Sequence, residues 1–134
     1  MCLLDRVEAW DAQRIQCRAH SHRDADHPLR AHGRLGAVCG IEYAAQAMAV
    51  HGALLAPAST PARAGYLISV RGAQLHVARL DDVGDDLMIE AECVTRGDNQ
   101  VLYRFSVGAA GRLLLAGRAA VVLDADKLDA GDAA

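Results

Sequence analysis

A chain of 134 residues, 52% hydrophobic and 23% charged, is long enough to bury a core and has the ordinary make-up of a single globular domain. Its net charge of −3, with no cluster of Lys or Arg, excludes the basic footprint of a nucleic-acid binder. No unbroken apolar run reaches the roughly 20 residues of a bilayer span, and Met1-Cys2-Leu3-Leu4-Asp5-Arg6-Val7 turns charged too early for a secretory signal, so a cytoplasmic protein is expected.

The first strand is expected over Leu4 to Trp10, followed by a turn at Asp11-Ala12. Arg14 to Ala19 then alternates polar and apolar residues, as a half-buried strand does. The two segments read as a hairpin. From Ser21 to Gly36 all periodicity stops. This stretch holds His22, His27 and His32 among Arg23, Asp24, Asp26, Pro28 and Arg30, and a loop of such length in a small domain is usually functional. Its histidines and acids have no tight metal-ligand spacing, and Cys2, Cys17, Cys39 and Cys93 are scattered without a CxxC pair. Reduced thiols and no metal are the expectation.

Gly40 to Leu55 is the one long run of helix formers, interrupted only by Glu42, Gln46 and His51. A helix apolar on nearly all sides is expected to be buried. Glu42 and Gln46, four apart, share a face, and Glu42 sits in the first turn where the helix dipole favours a carboxylate. A carboxylate among apolar residues is costly unless partnered or protonated, which makes Glu42 the first functional candidate. His51, late in the helix, reads as structural.

After a breaker-rich connection, Ala56 to Gly65, four strands are expected. Tyr66 to Val77 carries Gly72 as a bulge. Leu87 to Val94 points Leu87, Ile89, Ala91 and Cys93 inward, and the next strand does the same with Val101, Tyr103, Phe105 and Val107. Arg112 to Leu123 closes the set. His76 should face solvent. Residues 1–124 are expected to form one domain, with 125–134 as a fraying tail. Two strands, a loop, one apolar helix and four strands make an α+β domain. Only a strongly curved antiparallel sheet can wrap such a helix, with a second subunit covering what remains.

These residues resemble the hot-dog fold, and within it the 3-hydroxyacyl-acyl-carrier-protein dehydratases. Leu3-Leu4-Asp5-Arg6-Val7 is similar to the strand that opens that family. His27-Pro28-Leu29, then Gly36, then Glu42-Tyr43-Ala44-Ala45-Gln46 resemble its histidine loop, helix glycine and Glu-Ala-x-x-Gln helix start. Gly33-Arg34-Leu35 followed by Gly40 to Ala49 is closest to the dehydratases of aryl polyene pigment clusters. The likeness spans roughly Leu3 to Leu123. It departs where Leu35-Gly36-Ala37 lacks the usual proline, where His27 and Glu42 lie one residue further apart, and where no Pro-His-Arg element precedes the first strand.

The resemblance implies dehydration of a 3-hydroxyacyl thioester on acyl carrier protein, without a cofactor. His27 has the intrinsic pKa of a base near neutrality. Glu42, once buried and raised in pKa, would be the acid. Backbone N–H groups around Gly36 and Gly40 would hold the thioester oxygen, and Gln46 would orient Glu42. In hot-dog dimers histidine and acid come from different subunits, so a homodimer or higher even oligomer is implied. The plainer readings are a solvated loop histidine at 27 and an anchoring carboxylate at 42. Arg71 and Arg79 could receive a pantetheine phosphate or an acidic carrier, or be solvated strand charges. Two other functions compete: a thioesterase using Glu42 alone, and a catalytically weak subunit that pairs with an active hot-dog dehydratase. Nucleic acid and membrane are not expected partners.

Overall fold

The computed structural model describes residues 2–56 and 66–122. The expected connection and tail therefore lie outside the described residues, apart from Ala56. Strands β1 (Arg6–Trp10) and β2 (Arg14–Ala19) form the N-terminal hairpin, and helix α1 runs over Gly40–Leu55. Strands β3 (Tyr66–Leu75), β4 (Leu87–Arg96), β5 (Gln100–Ala109) and β6 (Arg112–Val122) follow. All six join one antiparallel sheet in the order β1-β2-β4-β5-β6-β3.

Alternation decides which side of the sheet is core. Leu87, Ile89 and Ala91 on β4, Val101, Tyr103, Phe105 and Val107 on β5, and Ile15 and Cys17 on β2 are all buried. Their neighbours in sequence point to the outer face, as period-two geometry requires. Each buried Leu, Ile, Val or Phe stabilises the fold by about 1.5–3 kcal/mol relative to exposure. The expected bulge is present: the β3–β6 register shifts between Arg71 and Gln74, across Gly72 at φ +61. A positive φ there is what a residue without Cβ permits.

Helix α1 lies on the inner face, packed on β4, β2 and β5. Its buried residues are Gly40, Tyr43, Ala44, Ala47, Met48 and His51, a 3–4 spaced stripe. Gly40 is demanded by packing, since a Cβ there would come within 2.5 Å of the Leu115 side chain on β6. The expectation of a helix buried nearly all round is corrected by this structure. Within one chain only the stripe is covered, while Ala49, Ala53 and Leu54 are exposed and Glu42 and Ala45 half-buried.

A second correction concerns membrane length. Ala37–Leu55, a 3-10 turn continued by α1, is 19 residues long with a mean hydropathy of 1.2, apolar enough to span by length and composition alone. Its packing on the sheet makes it the core helix of this domain instead.

Candidate active site

Two loop-to-sheet clamps fix the approach to the helix. Leu35 N–H donates to Asp81 Oδ1 at 2.8 Å, and Arg79 Nε donates to the same oxygen at 3.0 Å, with Arg79 Nη2 on Oδ2. The Arg79 guanidinium holds the Asp81 carboxyl well below the usual carboxylate range. Beside it, Ala37 N–H donates to Ala78 C=O at 3.0 Å and Leu80 N–H to Leu35 C=O at 2.7 Å, so Gly36 pairs directly with Arg79. The segment entering the helix is thereby held as a short strand.

That pairing decides which backbone donors are available. Cys39 N–H goes to Gly36 C=O, Ala37 N–H to Ala78, and Gly40 N–H to the carbonyls of Ala37 and Val38. The expectation of an unpaired N–H at Gly40 is thus overturned, because the 3-10 turn over Ala37–Cys39 uses it. Among the described residues Val38 N–H has no partner, while Gly36 N–H faces the Cys39 thiol. Gly36 has open space where a side chain would be, and Val38 is 58% exposed.

Glu42 follows at the first turn of α1. Its carboxylate is half-buried rather than buried, and among the described residues it makes no hydrogen bond or ion pair. Gln46, its neighbour one turn on, accepts Leu3 N–H on Oε1 at 2.8 Å. The side-chain hydrogen bond by which Gln46 was expected to orient Glu42 is not made, since Glu42 has none among the described residues.

His27 is 5% exposed, which removes the reading of a solvated loop histidine. Leu29 N–H donates to its Nδ1 at 3.0 Å, so that nitrogen carries no hydrogen. Nε2 is then the protonated nitrogen and donates to Tyr43 Oη at 3.0 Å. Tyr43 Oη donates onward to Ser21 Oγ at 2.7 Å, and Ser21 to Leu3 C=O at 2.8 Å. Burial lowers the His27 pKa and raises that of Tyr43. The structure thus brings His27 to Tyr43, the residue after Glu42. Consecutive helix positions do not face each other.

The other histidines also separate. His51 is fully buried, its Nε2–H donating to Asp11 C=O at 2.8 Å while Nδ1 meets Tyr103 Oη at 2.8 Å. It is structural, by tying the helix to β5 and the β1–β2 turn. His22 is buried, with Nε2–H on Val83 C=O at 3.0 Å and Nδ1 unpartnered among the described residues. Desolvation lowers its pKa. His32 and His76 are exposed. Among the described residues no three His, Cys, Asp or Glu side chains gather as a metal-ligand set. The sequence reading missed Asp81, Tyr43 and Ser21. A carboxylate following Arg79 by two residues was a visible signal, but its role depends on a contact 46 residues away at Leu35.

The family model of the ApeP-like proteins, described as ApeP dehydratase, matches residues 1–130. Among solved structures, the chain is similar to the dehydratase heterocomplex ApeI:P from Xenorhabdus doucetiae, at 21% identity and a TM-score of 0.76, over 92% of this chain and 83% of that one. It is also similar to AziG of S. sahachiroi, at 18% identity and a TM-score of 0.66, covering 88% and 89% of the two chains. A mutant of thioesterase PA1618 from Pseudomonas aeruginosa follows at 15% identity and a TM-score of 0.64, covering 87% and 78%. A search of the curated proteins found no match. The architecture shared with these structures is the hot-dog fold, and by its family match the chain belongs to the ApeP-like dehydratases.

Proposed function

We propose that this protein dehydrates 3-hydroxyacyl thioesters carried on acyl carrier protein, in a cytoplasmic synthesis of the aryl polyene or fatty-acid type, with Glu42 as the residue that moves the proton. The observation that carries this reading is the unpartnered Glu42 carboxylate one turn beyond the free N–H of Val38. The substrate needs a base at the carbon next to its carbonyl, an acid at the departing hydroxyl and donors at the thioester oxygen. Val38 N–H supplies one donor and Gly36 N–H a second by exchanging the weakly accepting Cys39 thiol for the thioester oxygen, where developing negative charge is worth most. Glu42 takes the α-proton, the electron pair forms the Cα=Cβ bond, and the same proton goes to the hydroxyl as the Cβ–O bond breaks. Water leaves and Glu42 is again a carboxylate. General acid–base catalysis of this kind contributes about 10²–10⁴ in rate.

His27 belongs to the proposal as the alternative base. For it to act, Leu29 N–H must release Nδ1 or a second subunit must offer its own imidazole. The uncovered face of α1 supports association with another hot-dog chain, as a homodimer or with a different subunit, and the ApeI:P structure is itself a heterocomplex.

A thioesterase is the second reading. It is favoured by the same lone carboxylate, which could activate water, and by the thioesterase fold neighbours. Mass spectrometry of a 3-hydroxyacyl carrier protein and its enoyl form, incubated with the protein, separates the readings. Loss or gain of water that vanishes in Glu42→Gln supports the dehydratase. Released free acid identifies a thioesterase. Turnover lost also in His27→Gln, with the fold intact, brings the imidazole into the chemistry. No turnover until a second hot-dog subunit is added identifies a partner-dependent chain.

A further inference from the structure

Val38 has the most exposed large apolar side chain among the described residues, at 58%. It is the middle residue of the 3-10 turn Ala37–Cys39, in which Ala37 is buried and Cys39 half-buried, so only Val38 turns outward. Valine is also a poor helix former, because its branched side chain loses rotamer freedom against the neighbouring turn. Neither core packing nor helix propensity accounts for an exposed valine at the entrance to α1.

Its surroundings tie it to the proposed chemistry. Val38 N–H is the unpartnered donor of this turn. The helical backbone runs unbroken over Ala37–Leu55, so Val38, Glu42, Ala45 and Ala49 recur at 3–4 spacing along one face. Ala45 and Ala49 present only methyl groups, and Gly36, before the turn, has open space where a side chain would be. Of these positions only Val38 carries a bulky apolar group, and it stands beside both the donor and the carboxylate. Branching at Cβ leaves valine one strongly preferred rotamer in a helix, so it does not swing aside as a methionine would.

A thioester oxygen that accepts Val38 N–H sits about 2.9 Å from that nitrogen. The carbon next to the carbonyl, C2, is two bonds further, and the valine methyls belong to the same residue as the donor. The two therefore come within the ~4 Å of van der Waals contact. Glu42 addresses one hydrogen on C2. We propose that the Val38 side chain bounds the space for the other C2 substituent, and so selects 3-hydroxyacyl thioesters that are unbranched at C2 over their 2-methyl counterparts. This selection presupposes the dehydratase reading argued above and narrows its substrate class.

The test is a competition. A 3-hydroxyacyl pantetheine and its 2-methyl homologue, the latter as each C2 epimer, are offered together in equal amounts and the product masses are followed. A ratio of rates within one tube cancels the folded fraction and the state of assembly. The wild type should favour the unbranched thioester about tenfold or more, as one misfitting carbon does in a shaped apolar site. Val38→Ala should cut that preference about tenfold, chiefly by raising kcat/KM for the methylated substrate. Val38→Ile should sharpen the preference, and Val38→Thr, similar in shape but polar, should leave it unchanged. All three should melt with the wild type, since the side chain is exposed.

One and the same ratio in the wild type, Val38→Ala and Val38→Ile would overturn the proposal. So would a ratio that follows polarity, with Val38→Thr behaving as Val38→Ala. A ratio that holds while Val38→Ala changes the sedimentation of the protein would overturn it too, by making the exposed valine a subunit contact. Calorimetric titration with the 3-deoxy amide analogues of the two substrates, which keep the carbonyl oxygen and have no hydroxyl to lose, reads the same preference from binding alone. Failure of the dehydratase reading is then distinct: the binding preference falls in Val38→Ala, but the wild type removes water from neither thioester.

Discussion

Glu42 and Tyr43 are neighbours in the chain and opposites in environment. Tyr43 points to the core and completes a chain of donors and acceptors from His27 through Ser21 to Leu3. Glu42, about 100° round the helix, faces the half-covered side and makes no polar contact among the described residues. A buried polar group whose hydrogen bonds are all made holds structure, and breaking one leaves an unpaired group at a cost of about 1–3 kcal/mol. A polar group left open has nothing of the kind to lose. The difference says which polar residues should affect stability when changed and which should affect turnover.

Glu42→Gln carries the largest expected effect. Turnover should fall about 10²–10⁴-fold, while the free energy of unfolding stays within about 0.5 kcal/mol of the wild type, as for a substitution that breaks no contact. Stopped-flow or mass-spectrometric rates, with urea unfolding beside them, check both halves. A variant that is inactive because it is unfolded would erase the contrast between the two neighbours.

His27→Ala should reverse the pattern. It strands Leu29 N–H and the Tyr43 hydroxyl and leaves a hole in the loop, for a loss of about 3 kcal/mol by urea unfolding. Residual activity should follow the folded fraction. A folded His27→Ala with no turnover would assign the imidazole a chemical role. Tyr103→Phe is a smaller version on the other closed pair, leaving His51 Nδ1 without its hydroxyl at a cost of about 1 kcal/mol.

The sequence disclosed the frame well because periodicity is a local signal. The β2 and α1 bounds agree with the expected ones, and the inward rows of β4 and β5 follow from alternation, with Cys93 only partly covered. What it could not disclose was which polar groups are already spoken for. Glu42 was expected to be buried because its helix is apolar, yet burial depends on how much of the helix one sheet can cover. Gly40 looked like a backbone donor, but its N–H is used by the preceding turn and the residue is dictated by Leu115, 75 positions away. Asp81 gained its place only when Leu35 came to it.

Acid unfolding sharpens the comparison with the smallest expected effect. Burial lowers the pKa of His22 and His27 in the folded chain, so the unfolded chain binds their protons more readily. Their stabilisation is complete above the unfolded value of about 6.5 and is lost as pH falls through the folded values. Asp81 has the same sign in a lower window. Its folded pKa is depressed by Arg79, so its contribution is complete above an unfolded value of about 4 and fades as acid drives it toward the folded one. Unfolding free energy against pH should therefore slope twice on acidification. His27→Gln should flatten the upper slope without removing it, because His22 remains, and Asp81→Asn should flatten only the lower.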